Sequence, residues 1–177
     1  MGRAREPQLV KTFVGMLTAR LSLLPKVDSL LQERLGPIDI ESDTLDFNYT
    51  RYYEEEMGPG LKRRFLGFHQ LVPPDRLVEV KLFTNELEQI LAEEGKRLVN
   101  LDPGYLTSAK VVLVSTKDYA HRLYLSGGIY GEVTLVYQDR RFQIQPWTYP
   151  DYRSELYHEF FKKLRAAYLG QIEIKGT

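Results

Sequence analysis

The chain has 177 residues, 43% hydrophobic and 12% aromatic, so we expect a single folded domain over residues 1–177 with a substantial core. Its 24 basic and 24 acidic side chains cancel, and without the basic excess typical of nucleic-acid binders, nucleic acid is the less favoured partner. The absence of cysteine excludes disulfides and thiol nucleophiles, and no membrane-length apolar run or signal peptide occurs, so we expect a cytoplasmic protein without a membrane partner.

The first predicted elements follow in the order strand, helix, strand, strand, helix, strand. Apolar residues recur at helical spacing in both helices, and the second begins at Asp75 as its N-cap and ends near Gly95. The strands are predicted at 9–17, 38–48, 61–72 and 98–101, and the first helix at 23–35. Because this order is typical of a ferredoxin-like βαββαβ unit, we predict an α+β fold with such a core over about residues 9–104.

An extension packed on this core is predicted for about residues 105–177, as a C-terminal β-meander and a terminal helix. Residues 106–119 are ambiguous, because their β-branched valines favour a strand while other apolar positions suit a helix; we favour the helix. Strands are predicted at 121–125, 129–138 and 141–145, with turns at 126–128 and 139–140. Loop 146–153 then leads to a final helix that Ser154 can cap.

Standard nucleotide-binding and hydrolase motifs do not occur in the sequence. There is no G-x-x-x-x-G-K-[ST] loop, no G-x-G-x-x-G and no G-x-S-x-G elbow. The three histidines lack paired metal-ligand spacing, so no metal site is predicted, and no motif identifies a cofactor or a reaction. A candidate site therefore depends on clusters of polar residues.

Two polar clusters flank the apolar run 111–114. In the first, which includes Asn100, the sequence Asp102-Pro103-Gly104 favours a turn, and the alternative is that Asp102 faces a cleft as a proton acceptor or metal ligand. In the second, Lys117 and Arg122 could hold a phosphate or carboxylate, with an exposed ion pair as an equal alternative. Asp118 belongs to the same cluster and is unfavourable at the C-terminus of a helix, so it fits poorly as mere surface decoration.

The third cluster lies between the meander and loop 146–153. Tyr130 and Glu132 share one face of a predicted strand, and Trp147, Tyr149 and Asp151 lie in the loop. If the loop folds over that face, an aromatic-walled polar pocket forms; the alternative is that its rings pin the loop to the core.

Two further polar groups lie in the predicted core. Lys62 opens the one clear basic run, which is worth testing for anion binding. Lys81, Asn85 and Glu88 share one side of the second helix, and we expect that side to face solvent.

Several stretches of the chain together resemble a known family. They are YYEEEMGPGLKRRF, VKLFTNELE, VNLDPGYLTSAK, STKDYAHRLYL, GIYGEVTL and WTYPDYR. This combination, which extends over nearly the whole chain, resembles the uncharacterised bacterial domain-of-unknown-function family 4416. The resemblance implies no activity, cofactor or set of site residues.

Two functions from different classes follow from these patterns. In the first, a cleft between core and extension binds or processes a small anionic ligand, phosphorylated or nucleotide-like. Its anion would be bound by Lys117, Arg122 and Lys62, with Trp147 and Tyr149 stacking on a ring and Asp102, Asp118 and Glu132 as catalytic candidates. The alternative is an RNA-binding module that uses aromatic residues of 13–17 and 62–68 on the sheet face, or a non-enzymatic protein-interaction domain.

Overall fold

The computed structural model describes residues 2–175, and the side chains of residues 2–173. Within that range the chain forms nine strands and four helices. The strands are β1 (Val10–Thr18), β2 (Ile38–Glu41), β3 (Leu45–Asp46), β4 (Lys62–Val72), β5 (Asn100–Leu106), β6 (Lys110–Ser115), β7 (Leu123–Ser126), β8 (Ile129–Gln138) and β9 (Arg141–Ile144). The helices are α1 (Leu24–Leu35), α2 (Glu54–Met57), α3 (Leu77–Ile90) and α4 (Glu155–Lys175).

All the strands belong to one sheet, and every pair in it is antiparallel. The order is β2-β4-β1-β5-β6-β8-β7, with β3 also paired to β4 and β9 to β8. The predicted α+β class is therefore confirmed. Over residues 2–175, no helix combines the length and apolarity that crossing a bilayer requires.

Helices cover both faces of the sheet, because the side chains of the central strand β1 alternate between two cores. Val14 and Met16 pack in one core with residues of α1 and α3. Phe13 packs in the other core against Phe161 of α4, with their ring centres 5.0 Å apart. Phe13 and Phe65 are fully buried there, so the aromatic residues required by the RNA-binding alternative are not available to stack on bases.

Most predicted elements are present, with shifted ends. The strand predicted at 38–48 is divided into β2 and β3. The prediction that Asp75 caps α3 is wrong, because Asp75 lies in a short 3-10 turn that follows Pro73 and places Arg76 at the N-cap. Helix α3 ends at Ile90, before Gly95.

Two predictions around residue 104 are wrong. Asp102-Pro103-Gly104 is not a turn but the middle of β5, paired with β1. A Cβ on Gly104 would lie 2.4 Å from the carbonyl oxygen of Val112 and 2.5 Å from the ring of Phe13, so close strand contact requires this glycine. The prediction of a helix at 106–119 is also wrong, because Leu106 ends β5 and Lys110–Ser115 form strand β6. The valines of β6 are buried, and the strand pairs with β5 and β8.

Strands β5 and β6 separate at one end of the sheet. β5 pairs with β1 along its whole length, from Asn100 to Leu106, but with β6 only from Gly104 to Leu106. β6 continues its pairing with β8 as far as Ser115. Pro103 is the first residue beyond the β5–β6 ladder and has no N–H to offer it. A gap therefore opens between the first half of β5 and the end of β6.

Candidate functional site

The gap between β5 and β6 forms a cavity of about 550 Å³. Helix α3 lines it from one face of the sheet, and residues 47–53 and 149–152 line it from the other side. This volume lies within the range of small-ligand pockets, roughly 300–1,000 Å³. Its charged lining residues are Arg63, Lys81, Glu88, Arg97, Asp102, Lys117, Arg122 and Asp151. The exposed rings of Tyr52 and Tyr149 also line the cavity.

Helix α3 replaces the hydrogen bonds that β6 would otherwise make to β5. The Lys81 ammonium donates to the carbonyl oxygen of Leu101 at 3.0 Å, and Glu88 Oε1 accepts from the N–H of Leu101 at 2.5 Å. Lys81 and Glu88 are only 8% and 5% exposed, so the prediction that this side of the helix faces solvent is wrong. Burial raises the pKa of Glu88, although Lys81 and Arg97 act in the opposite direction. The pair is buried because strand separation leaves backbone groups that need partners.

A chain of hydrogen bonds crosses the β5 side of the cavity. Arg97 makes a two-pronged ion pair with Glu56 and donates from Nη1 to Asn100 Oδ1 at 2.9 Å. Asn100 then donates from Nδ2 to Asp102 Oδ2 at 2.8 Å. The same Nη1 of Arg97 reaches Glu88 at 3.1 Å. These bonds hold the Asp102 carboxylate in one orientation.

Arg63 lies between two carboxylates on this side of the cavity. Its Nη1 donates to Asp102 Oδ2 at 3.0 Å, and its Nη2 donates to Asp151 Oδ2 at 3.3 Å. The guanidinium is 3% exposed and lies near the rings of Phe47 and Phe65, 5.3 and 5.8 Å from their centres. Arg63 is thus a buried, ion-paired residue of the cavity wall.

The two carboxylates beside Arg63 have pKa values shifted in opposite directions. Burial tends to raise the pKa of Asp102, but Arg63 and Lys81, with hydrogen bonds from Arg63 and Asn100, hold it below its ordinary value. Burial raises the pKa of Asp151 despite Arg63, and the nearby charge of Asp102 adds to that rise. The lowered pKa keeps Asp102 ionised at neutral pH, so this carboxylate acts only as an acceptor.

On the β6 side, Arg122 is held by protein acceptors. Its Nε donates to Glu132 at 2.8 Å, Nη1 donates to Ser115 Oγ and to the Lys117 carbonyl, both at 3.0 Å, and Nη2 donates to Tyr149 at 2.7 Å. The sequence pattern predicts a fork for a ligand anion, and in the structure four of the five N–H groups of this buried guanidinium donate to protein acceptors, one of which is the Tyr149 hydroxyl.

Lys81 and Lys117 differ from the three arginines that line the cavity. Each arginine has a carboxylate partner, but within residues 2–173 neither lysine has one within 4.0 Å. Lys117 lies at the mouth of the cavity, with Nζ 5.3 Å from the centre of the Tyr52 ring. Neither lysine therefore forms a salt bridge with the described side chains, but Lys81 still acts electrostatically on Glu88 and Asp102.

Six of the predicted site residues line the cavity together. They are Asn100, Asp102, Lys117, Arg122, Tyr149 and Asp151. The patterns missed Arg97, included Arg63 only as part of the basic run that Lys62 opens, and assigned Lys81 and Glu88 to solvent. The helical spacing of Lys81, Asn85 and Glu88 was the available signal, since all three line the cavity.

The other predicted site residues lie outside the cavity. Lys62 forms an ion pair with Asp46, and Asp118 is exposed in the loop after β6. Glu132 is buried behind Arg122, so it does not converge with Asp102 and Asp118 on one catalytic centre.

Two aromatic residues of the predicted site also lie elsewhere. Tyr130 packs its ring edge-on against Tyr124. Trp147 stacks on His121 with an interplanar angle of 9° and donates to the Val133 carbonyl, so it anchors the loop rather than a ligand. Over the described part of the chain, no group of three or more His, Asp or Glu side chains is placed to hold a metal ion.

Comparisons with known proteins give one match. A family model described as "Domain of unknown function (DUF4416)" matches residues 8–168, nearly the whole chain. Neither the curated proteins nor the solved structures contain a match to the chain.

Proposed function

We propose a function for the cavity of this chain, which belongs to the DUF4416 family. The cavity between β5 and β6 binds a small organic anion that carries a planar ring. The observation that carries this proposal is the exposed ammonium group of Lys117, which lines the cavity. Within residues 2–173, Lys81 and Lys117 have no carboxylate within 4.0 Å, whereas every arginine of the cavity wall is ion-paired. A phosphate or carboxylate on the ligand would supply a counter-charge for Lys117.

Lys117 is the better position for the anionic group. It lies at the mouth of the cavity, where a charged phosphate would keep part of its hydration. The backbone of Lys117 is fixed, because its carbonyl accepts from Arg122 and its N–H donates to Ser115 Oγ at 3.2 Å. Lys81 is buried further in, and part of its donor capacity is occupied by Leu101.

The tyrosine side chains that line the cavity favour a ligand with a planar ring. Tyr52 and Tyr149 are partly exposed, and both line the cavity. Tyr149 is oriented through its hydroxyl by Arg122, so its ring has a defined position. Aromatic faces of this kind stack on planar ligands, and phosphorylated or nucleotide-like molecules combine such a ring with an anion.

A ferredoxin-like arrangement of the first half of the chain is part of the same proposal. The strand order β2-β4-β1-β5, with every pair antiparallel, supports it. So does the placement of α1 between β1 and β2 and of α3 between β4 and β5. On this view, the ligand lies where the sheet of the core meets the strands of the extension.

A thermal-shift and calorimetry experiment tests the binding proposal. The probes are adenosine 5′-monophosphate, phenyl phosphate, benzoate and inorganic phosphate. We expect ring-bearing anions to raise the melting temperature, because a ligand that binds only the folded state stabilises it. We expect Lys117→Ala to weaken binding by about tenfold or more, and Lys62→Ala to leave it unchanged, because Lys62 lies outside the cavity.

Two results would contradict the proposal. One is that no probe binds the wild-type protein. The other is that the two lysine variants weaken binding equally, because that indicates a general effect of charge. We expect the affinity to decrease as salt rises from about 50 to about 300 mM, because salt screens the attraction between an anion and the exposed Lys117.

A further inference from the structure

We infer that the ring of this ligand carries N–H donors that bond to Asp102, so that the ligand belongs to the amino- or imino-substituted heterocycles. This inference rests on the proposed function, because it assigns the inner end of the same cavity. The geometry of Asp102 and the distribution of charge across the cavity support it independently of each other.

Asp102 has one oxygen available to a ligand. Both hydrogen bonds that the described side chains make to its carboxylate end on Oδ2, from Arg63 and from Asn100. The side chain is 31% exposed and lines the cavity, so Oδ1 is the oxygen left for a ligand. An ionised carboxylate accepts hydrogen bonds and cannot donate them, so the complementary group on the ligand is a donor.

Charge is distributed unequally between the two sides of the cavity. On the β5 side, Arg63, Lys81 and Arg97 lie among four carboxylates, those of Glu56, Glu88, Asp102 and Asp151. On the β6 side, Lys117 and Arg122 line the cavity without a carboxylate from the described side chains in its wall, because Glu132 is buried behind Arg122 and Asp118 is exposed outside the cavity. An anionic group is therefore favoured toward β6, and hydrogen-bond donors are favoured toward β5.

The same arrangement disfavours a ring with only acceptors on its inner edge. A ring nitrogen or oxygen lone pair placed against Asp102 would face a fixed negative charge. Burying that lone pair would also remove its bond to water without giving it a partner. The cavity therefore discriminates by the hydrogen atoms on the inner edge of the ring.

Matched nucleotides test this inference with the wild-type protein. Adenosine 5′-monophosphate and purine riboside 5′-monophosphate differ only in the amino group on the ring, and ribose 5-phosphate lacks the ring. Guanosine and cytidine 5′-monophosphates supply other arrangements of N–H groups. We expect at least one amino-bearing nucleotide to bind about tenfold more tightly than purine riboside 5′-monophosphate, since bonds to charged acceptors are stronger than neutral ones.

The Asp102→Asn variant locates the source of the preference. We expect it to lose most of the preference while still binding ribose 5-phosphate through Lys117. Urea unfolding of the variant verifies that it is folded, and the wild-type comparison does not depend on it. If purine riboside 5′-monophosphate binds wild type as tightly as every amino-bearing nucleotide, and more tightly than ribose 5-phosphate, the inference is overturned and the binding proposal stands. If ribose 5-phosphate binds as tightly as all the nucleotides, the ring contributes nothing and both are overturned. If Lys117→Ala leaves the binding of every phosphate unchanged, the binding proposal itself is overturned.

Discussion

The ammonium group of Lys81 donates to the carbonyl oxygen of Leu101 at 3.0 Å, although one residue belongs to a helix and the other to a strand inside the sheet. In a continuous sheet the next strand would provide such a bond. Here Glu88 completes the substitution by accepting from the N–H of Leu101. Side chains of α3 thereby stabilise an edge inside the sheet, and the space that β6 leaves becomes the cavity.

Removing the Lys81 ammonium should destabilise the fold. We expect Lys81→Met to lower the free energy of unfolding by about 1–3 kcal/mol, because the buried Leu101 carbonyl loses its partner. Lys26→Met, at an exposed position of α1, is the matched control and should change stability by about 0.5 kcal/mol or less. Urea unfolding measures both. Equal effects of the two variants would show that the Leu101 bond contributes nothing.

Arg122 should behave as a buried structural cation. We expect Arg122→Met to cost about 3–5 kcal/mol, because it leaves the Glu132 carboxylate buried without its arginine. Adding Glu132→Gln to that variant should restore part of the loss by removing the uncompensated charge. Chemical unfolding of both single variants and of the double variant gives the coupling energy. Strictly additive losses would argue against a coupled pair.

Gly104 and Gly170 should respond in opposite directions to alanine. A Cβ at Gly104 meets a backbone carbonyl and an aromatic ring, so Gly104→Ala should lower stability by about 1–3 kcal/mol or more. Gly170 is exposed within α4, with nothing within 4 Å of an added Cβ, so Gly170→Ala should raise stability by roughly 0.5–1 kcal/mol. Thermal unfolding of the two variants checks the signs. A tolerated alanine at residue 104 would contradict the close β5–β6 contact.

Asp102 and Asp151 should contribute to the pH dependence of stability with opposite signs. The pKa of Asp102 is lowered in the folded state, so its ionised form stabilises the fold above about pH 4, and that contribution is lost as pH falls through the folded pKa. The pKa of Asp151 is raised, so its contribution is present at low pH and is lost as pH rises through the folded value.

Unfolding free energies measured between about pH 3 and pH 7 test these signs, because that range includes the ordinary carboxyl pKa of about 4. The deficit of Asp102→Asn relative to wild type should shrink toward the acid end. Asp151→Asn should change relative to wild type in the other direction, becoming more favourable as pH rises. Parallel curves for the two variants would show that the environments of the two carboxylates do not differ.

Much of the fold could be predicted from local sequence patterns. Strand β8 and the hairpin that follows it were predicted because apolar alternation ends at turn residues, and Asp139 and Arg140 have left-handed φ values of 52° and 61°. The turn predicted from Asp-Pro-Gly is wrong because the preference of these residues for a turn is local. The pairing of Pro103 with Val14 of β1 joins distant parts of the chain and is not visible in the local sequence. That pairing, together with burial of the valines of β6, decides the conformation.

The site could be predicted only in part, for a related reason. Asp102 and Lys117 stand out in the sequence because they flank the apolar run 111–114, and the structure places both at the gap. The contribution of α3 could not be predicted, because the helical spacing of Lys81 and Glu88 is equally typical of a solvated face. Their burial depends on where β5 and β6 separate, which only the pairing register shows.

The shortness of the β5–β6 ladder has a mechanical consequence. Within residues 2–175, the β5–β6 ladder joins the two halves of the sheet over Gly104–Leu106 and Val111–Leu113, with one more backbone bond from the Thr107 N–H to the Lys110 carbonyl. By contrast, β1–β4 and β1–β5 are paired along most of their lengths. We therefore expect twisting of one half against the other to meet the least backbone resistance at this ladder, and such a twist would change the width of the opening. A molecule bound to both walls would act as an additional cross-tie and would stiffen the whole chain against that twist.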